Sequence, residues 1–225
     1  MSKDTMSVKR RRMMKYFIEA AAEIERESGR DAVTLRAVAD KAGFNSATLY
    51  NYFDDLNHLM LFLSMTKVAR YTADLEKALS GIDDPLEKYR KIYEIFTLHC
   101  FREPETFGEL FFSGDIEKTK SVIETYYQLY PEEIDEQDGS IKKMLMEGDV
   151  FDRDAALTKD LVDAGYLLPG NDRPTYVILT HVFHSIIDSF RAGTEKRTPE
   201  EASEDFMRLF DYILAAGKII EFNQC

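Results

Sequence analysis

The chain has 225 residues, of which 44% are hydrophobic and 31% charged, and its formal net charge is -12 at pH 7. This composition is ordinary for a soluble globular protein that is long enough for one large core or two smaller ones. No apolar run approaches the roughly 20 residues of a membrane helix, and Lys15, Glu19 and Glu23 interrupt any secretory signal. We therefore expect a cytoplasmic protein with no membrane partner. Cys100 and Cys225 are far apart and lack C-x-x-C spacing, so they suggest neither a disulfide framework nor a zinc site.

The first predicted element is a helix over about residues 8–28. Its expected buried stripe is Met14, Phe17, Ile18, Ala21 and Ile24, and its stop is Gly29. Up to residue 16 the chain carries six basic residues and one acidic residue, so this segment can follow a DNA backbone, although a solvated terminus would have the same composition. Residues 1–60 hold 10 Lys/Arg and 9 Asp/Glu, which leaves 19 against 32, a net charge of -13, for residues 61–225. Because such an acidic body repels nucleic acid, we expect DNA contacts only in the N-terminal part.

Residues 34–53 predict two short helices joined by a turn. Thr34 is a good N-cap, and the apolar stripe that follows it ends at Gly43, a residue that accepts the left-handed backbone common at helix C-termini. Asn45 can then cap a second helix that starts at about Ser46.

The side chains of the second helix fall into two sets. Leu49 and Phe53 lie four residues apart and are expected to point inward together with Phe44. The other faces carry hydrogen-bonding side chains: Ser46, Thr48, Tyr50, Asn51 and Tyr52. A polar outer face of this size is suited to DNA, and it indicates a gene regulator.

This segment, which reads T-L-R-x-V-A-x-x-A-G-F-N-x-x-T-L-Y-x-Y-F, resembles the DNA-binding signature of the TetR family of transcriptional regulators. The resemblance covers roughly the first 60 residues, and the rest of the chain is similar only in length and helical character. It departs from the family at the start of the next helix, where Leu56 stands in place of a usual Lys. Asp54 and Asp55, which precede it, can cap that helix.

The resemblance implies roles for individual positions. Thr48, Tyr50 and Tyr52 match residues that hold phosphates, and hydroxyl groups are suited to that contact. Arg36, Asn51 and their neighbours match residues that reach base edges, where Arg recognises guanine and Asn recognises adenine with two hydrogen bonds each. The complete DNA-binding set that we infer is Thr34, Arg36, Asn45, Ser46, Ala47, Thr48, Tyr50, Asn51 and Tyr52.

The rest of the chain is predicted to be helical nearly throughout. A fourth helix over about residues 56–79 begins with an apolar run on every side, which predicts a buried link between the DNA-binding unit and the body. Pro85 precedes a fifth helix, and the last two helices carry wide apolar stripes. Other helices are expected near residues 105–112, 116–130, 140–146 and 154–164, with loops over 135–139 and 168–174.

The aromatic-rich middle of the chain could line an effector cavity, because pockets for small organic molecules are mostly apolar with a few polar groups. Plain core packing would give the same stripes. The candidate pocket residues are Phe62, Met65, Tyr93, Phe96, His99, Cys100, Phe107, Phe111, Tyr126, Tyr127, Tyr130 and His181. His181, His184 and His99 could in principle share a metal, but no carboxylate or cysteine has matching spacing, so we expect no metal site.

The stripes of the last two helices are candidates for a homodimer interface in the form of a four-helix bundle. Thr198, Pro199 and Glu201 predict a capping box and a first-turn proline for the final helix. The candidate interface is Leu179, Phe183, Ile186, Ile187, Phe190, Phe206, Phe210, Ile213, Leu214 and Gly217. Completion of the monomer core is the alternative, but a helix-turn-helix usually reads a palindromic operator as a two-fold dimer.

We therefore expect an all-α fold, with an N-terminal three-helix helix-turn-helix domain over residues 1–55 and a larger helical domain for effector binding and dimerisation over 56–225. The expected function is transcriptional regulation, as a repressor that leaves double-stranded operator DNA when it binds a largely apolar small molecule. Alternatives are a regulator with a protein partner or no ligand, and a small all-α enzyme. No catalytic motif favours the enzyme, and no cofactor is expected.

Overall fold

The computed structural model describes residues 6–112, 115–135, 146 and 150–220. This part of the chain consists of eleven α-helices and one 3-10 turn and contains no strand, which confirms the all-α prediction. The helices are α1 (Val8–Ser28), α2 (Leu35–Lys41), α3 (Ser46–Leu49), α4 (Leu56–Leu79), α5 (Pro85–Arg102), α6 (Pro104–Phe112), α7 (Ile116–Leu129), α8 (Glu132–Asp135), α9 (Val150–Asp163), α10 (Asp172–Arg191) and α11 (Pro199–Ile219); the 3-10 turn is Arg30–Ala32.

The helix limits follow local chemistry closely where caps are present. The Thr198 side chain accepts from the Glu201 N–H while the Glu201 carboxylate accepts from the Thr198 N–H, which is the predicted capping box. The loop expected over 168–174 is too long, because α10 begins at Asp172. Pro174 lies in the first turn of α10, where backbone N–H groups have no partner within the helix, so a residue without an N–H is tolerated there. The predicted helix over 140–146 lies outside the described residues except for residue 146.

The chain forms two compact units, and α4 contributes to both. Unit 1 contains residues 1–67 and 118–136, and unit 2 contains 68–117 and 137–225. The predicted boundary between functional domains, after residue 55, stays a prediction.

Unit 1 is built around α1. Phe17 is fully buried and its ring contacts Phe44, Tyr52 and Phe53, with centroids 5.6, 5.8 and 6.2 Å apart. The helices α7 and α8, which come much later in the chain, also belong to this unit. Their attachments include Lys15 of α1, whose Nζ lies 3.8 Å from a Glu132 carboxylate oxygen and 4.2 Å from the centre of the Tyr130 ring, and a Lys118–Asp55 ion pair of 3.7 Å.

Unit 2 is a bundle in which α11 packs against α5 and α10, while α9 packs against α5 and α10. Its interior is rich in aromatic rings that contact each other directly. Phe183 stacks on Phe96 and Phe101 with centroids 5.1 and 5.4 Å apart, and Phe206 stacks on Tyr93 at 5.6 Å.

The apolar stripes of α10 and α11 form this interior. Buried within one chain are Leu179, Phe183, Ile186, Ile187, Phe206, Phe210 and Leu214, while Phe190, Ile213 and Gly217 are half-buried. Gly217 supports a close contact inside the chain, because a Cβ there would lie 2.7 Å from Leu167 Cδ2. The buried stripe residues thus pack within unit 2, and their part in a dimer interface stays a prediction. Helical periodicity identifies a buried face but does not say what covers it.

Among the described helices, none combines the length and the apolar character that crossing a membrane requires.

Candidate nucleic-acid interface

The turn between α2 and α3 has the geometry that its sequence predicts. Gly43 has a φ of +79°, and its N–H donates to the Asp40 carbonyl at 3.1 Å. The Phe44 N–H donates to the Ala39 carbonyl at 2.9 Å. These two bonds form a Schellman motif, in which a glycine is favoured because a Cβ would be strained in left-handed backbone. The turn therefore gives α3 a defined direction relative to α2.

Side-chain caps begin both helices. The Thr34 Oγ1 accepts from the Ala37 N–H at 3.1 Å. The Asn45 Oδ1 accepts from the Thr48 N–H at 2.8 Å and lies 3.0 Å from the Thr48 Oγ1, which donates to it. Asn45 is thus a structural cap as well as an inferred DNA-binding residue, and it also orients the Thr48 hydroxyl.

The second helix is shorter than the sequence predicts. Its α-helical part covers four residues, Ser46–Leu49, and a tighter turn follows in which the Asn51 N–H donates to the Thr48 carbonyl. Leu49 and Phe53 are fully buried, as expected. Phe44 contacts the Phe17 ring but stays 38% exposed, so its predicted inward position is only partly correct.

The inferred DNA-binding side chains divide by accessibility. Exposed are Thr34, Arg36, Asn45, Ala47, Tyr50 and Asn51, and half-buried are Ser46, Thr48 and Tyr52. The Arg36 side chain is 87% exposed and its Nε lies 3.8 Å from an Asp40 carboxylate oxygen. Exposed pairs of this kind contribute little to stability, so the Arg36 guanidinium can exchange Asp40 for another acceptor at little cost.

Arg10 joins α1 to the segment that follows α3, a role that the sequence did not reveal. Its Nη1 donates to the Asn51 carbonyl at 2.9 Å, and its guanidinium carbon lies 5.4 Å from the centre of the Tyr52 ring. From the sequence, Arg10 was predicted only to be part of the basic N-terminal segment. In the structure the chain is helical from Val8, so Lys9, Arg10, Arg11, Arg12 and Lys15 have defined positions on α1.

The start of α4 has a charge pattern that sequence proximity alone does not predict. The Asp55 carboxylate accepts from the His58 N–H at 2.6 Å, which confirms an Asp cap for α4. Burial lowers the pKa of His58, although the charge of Asp54 opposes the shift. Positive charge beside the start of α4 comes from Lys118 of α7. The sequence does not predict this proximity, because Lys118 and Asp55 are far apart along the chain.

Comparison with protein families matches residues 17–61 to the sequence model of bacterial regulatory proteins of the tetR family. This span contains the two capped helices, the Schellman turn and the exposed polar side chains described above. The N-terminal domain is a tetR-family DNA-binding domain. Comparison with curated proteins returned no match.

Solved structures extend the likeness beyond the tetR-family domain. Thermus thermophilus FadR, a TetR-family repressor in complex with lauroyl-CoA, is 18% identical, with 94% of this chain and 98% of that chain covered and a TM-score of 0.58. A TetR/AcrR-family regulator from Thermobifida fusca is 18% identical over 90% of this chain and 97% of its own, with a TM-score of 0.56. RolR in complex with resorcinol is 14% identical over 96% and 97%, with a TM-score of 0.53. At these identities the comparison shows a shared fold along nearly the whole chain.

The candidate pocket residues are divided between the two units. Phe62, Met65, Tyr126, Tyr127 and Tyr130 belong to unit 1, and Tyr93, Phe96, His99, Cys100, Phe107, Phe111 and His181 to unit 2. His181 lies on the exposed side of α10, with its Nδ1 2.7 Å from the Val177 carbonyl, so it does not line the interior. His99 pairs with Asp74 at 2.9 Å.

Proposed function

We propose that this protein is a homodimeric transcriptional repressor that binds a palindromic operator through its tetR-family domain and leaves the operator when a small molecule binds to unit 2. The observation that carries the proposal is the set of exposed polar side chains on a rigidly capped helix-turn-helix. Such a protein has no need of catalysis, and its place of action would be the cytoplasm, where bacterial DNA is found.

The division of labour within the interface follows from side-chain chemistry. Arg36 and Asn51 are exposed and can form paired hydrogen bonds with guanine and adenine, respectively. The Tyr50 ring is 56% exposed, so its hydroxyl can reach a phosphate. Tyr52 is packed between Phe17 and Arg10, and its contribution would be to hold the surface in shape.

The dimer would use the outer faces of α10 and α11, in place of the buried stripes that periodicity favoured. Leu209, Tyr212 and Ile219 are 45%, 74% and 78% exposed, and their spacing puts them on one side of α11. Ile178 of α10 is 46% exposed. Large apolar side chains exposed along one helix face are expected where a second copy covers them.

An effector is proposed from the fold and from the ligands of its relatives. Lauroyl-CoA binds to the Thermus thermophilus protein and resorcinol to RolR, and both proteins share the fold of this chain. We infer that unit 2 likewise takes a small organic molecule, whose preference for one conformation would change operator affinity.

Operator binding is tested by gel shift on the DNA upstream of the protein's own gene, followed by binding-site selection. Arg36→Ala and Asn51→Ala should each weaken binding by about 1 to 3 kcal/mol and change the preferred base. Arg102→Ala is the matched control, because it removes an exposed Arg–Glu200 pair from unit 2. An unchanged sequence preference in both variants would contradict the base-reading assignment.

Dimerisation is tested by light scattering on Leu209→Glu and Tyr212→Glu. Both variants should be folded monomers with weaker operator binding, because each places a charge on the proposed apolar face. Ile116→Glu on α7 is the control, since Ile116 is also 45% exposed but lies in another part of the chain. Intact dimers for both α11 variants would exclude this face, and a monomeric wild type that binds DNA would exclude the homodimer.

A further inference from the structure

Unit 2 contains a buried polar group that the helix-turn-helix function does not use. We call Asp154, Tyr93, Tyr89 and Thr180 the Asp154 cluster; their exposed fractions are 4%, 6%, 1% and 2%. The Tyr93 hydroxyl donates to the Asp154 Oδ2 at 2.5 Å. Three helices, α5, α9 and α10, supply these four side chains to the bundle interior.

Two hydroxyl groups of the cluster lack a hydrogen bond of normal geometry. The Tyr89 hydroxyl and the Thr180 Oγ1 are both inaccessible to solvent and form no such bond in the described structure, although Tyr89 interacts with Asp154 and Tyr93, and Thr180 with Tyr93. Most buried polar side-chain atoms in proteins have a partner, and an unpaired one costs about 1 to 3 kcal/mol. Two such groups around the Asp154–Tyr93 pair can each accept a better partner, which a ligand can supply.

The carboxyl of Asp154 also lacks a balancing charge. Among the described residues, no Lys, Arg or His forms an ion pair with it, and its hydrogen bond comes from neutral Tyr93. Burial raises the pKa of Asp154 to about 7, while Tyr93 and Tyr89 oppose the shift. An ionised carboxylate here would gain from any cation brought into the cluster.

Aromatic rings enclose the cluster. Tyr89 and Tyr93 contact each other at 5.2 Å between centroids, and Phe210 contacts both, at 5.2 and 5.1 Å. Phe206 stacks on Tyr93. Aromatic rings near a carboxylate favour organic cations, because ring faces carry partial negative charge.

We propose that the Asp154 cluster binds the protonated amine of a small organic molecule whose remaining body is apolar. An ammonium group has three N–H donors, and the cluster has three acceptors to receive them: the Asp154 carboxylate, the Tyr89 oxygen and the Thr180 oxygen. Its charge balances the carboxylate, and the aromatic rings contact the attached carbon atoms.

Other ligand classes fit less well. An alcohol supplies one donor and no charge, so it leaves a hydroxyl of the cluster unpaired. An anion would be repelled by Asp154 when that carboxyl is ionised. A bound metal ion would need more ligands, and the described residues contain no group of three His, Cys, Asp or Glu side chains suited to one.

An effector must bind one conformation of the protein better than another, and the Asp154 cluster meets this requirement. To this extent the inference rests on the proposed function. Because the four side chains are sealed from solvent, an amine can enter only when the helices that carry them move apart. A bound amine would then favour a conformation other than the one described, and a ligand acts as an effector only through such a preference.

The test uses three probes of similar size: 2-phenylethylamine, 2-phenylethanol and 3-phenylpropionate. Calorimetry on the free wild-type protein should show the amine binding at least about tenfold more tightly than either of the others. Asp154→Asn should weaken amine binding about 10- to 100-fold, and Tyr89→Phe about tenfold. Tyr16→Phe, a change at a tyrosine 43% exposed on α1, is the control and should leave amine binding unchanged.

Equal binding of the amine and the alcohol would overturn the proposal, as would unaltered amine binding by Asp154→Asn or no amine binding up to the solubility limit. Tyr89→Phe keeps the test decisive if Asp154→Asn fails to fold. Gel shifts with the amine separate this inference from the proposed function. Amine binding with the expected variant pattern but no effect on DNA binding would support the site and contradict its role as an effector site.

Discussion

Replacing Asp154 by asparagine should remove a pH dependence from the stability of unit 2. Burial raises the pKa of Asp154 to about 7 from an ordinary value of 3.8. Because the folded chain holds this proton more tightly than the unfolded chain, the carboxyl's contribution to stability is fully present below about pH 4 and is lost as the pH rises through about 7. Asparagine has no ionisable proton, so the variant does not undergo this loss.

The magnitude follows from the two pKa values. The difference between about 7 and 3.8 corresponds to about 4 kcal/mol, at about 1.36 kcal/mol for each pKa unit, and about 2.5 kcal/mol of this falls between pH 5 and pH 8. This change in stability can be measured by urea unfolding, monitored by circular dichroism at constant ionic strength. The free energy of unfolding of the wild type should fall over this range by about 2.5 kcal/mol more than that of Asp154→Asn.

Two features make the comparison decisive. The amide N–H groups that asparagine adds are uncharged at every pH tested, so they shift the variant's stability without changing its slope with pH. Asp152→Asn is the matched control, because Asp152 is exposed on the same helix, and it should follow the wild type within about 0.5 kcal/mol. Parallel curves for Asp154→Asn and the wild type would refute the reasoning about burial.

Four further substitutions test other parts of the structure. Tyr93→Phe removes the hydrogen bond to Asp154 and should lower the free energy of unfolding, measured by urea unfolding, by about 1 to 3 kcal/mol. Tyr89→Phe removes a buried hydroxyl that lacks a hydrogen bond of normal geometry, so the same measurement should show a neutral or stabilising change. Gly217→Ala brings a methyl group 2.7 Å from a buried leucine and should lower the melting temperature despite alanine's better helix propensity; an unchanged or higher value would show that the contact relaxes. Arg10→Ala should weaken all DNA sequences alike, and a change of preferred base in binding-site selection would contradict its supporting role.

Local chemistry made the helix-turn-helix predictable. Thr34, Gly43 and Asn45 act on backbone groups within a few residues of themselves, so a cap or a left-handed turn can be inferred from the residue type and its neighbours. The same holds for the box formed by Thr198 and Glu201. The shorter α3 is the exception, because the tight turn after Leu49 has no distinctive residue to signal it.

Long-range packing was not predictable in the same way. The spacing of Phe183 and Phe206 marks a buried face, but it could not predict that these rings contact Phe96 and Tyr93 of α5. The sequence gives no signal for the buried Asp154, because its hydrogen-bond partner Tyr93 lies 61 residues earlier. The ion pair between Lys118 and Asp55 likewise joins residues that are far apart in the sequence, so it could not be predicted.

The discontinuity of unit 1 has a consequence for how the protein is made. The ribosome completes residues 1–67 well before it reaches 118–136. While the first part of unit 2 is synthesised, unit 1 is therefore still incomplete, because it lacks α7 and α8. During that interval Lys15 lacks Glu132 and Tyr130, and Asp55 lacks Lys118. Contacts between segments so distant in sequence also close large loops and slow folding. A fragment that ends at residue 67 would therefore resemble this early state of synthesis more closely than the mature DNA-binding unit.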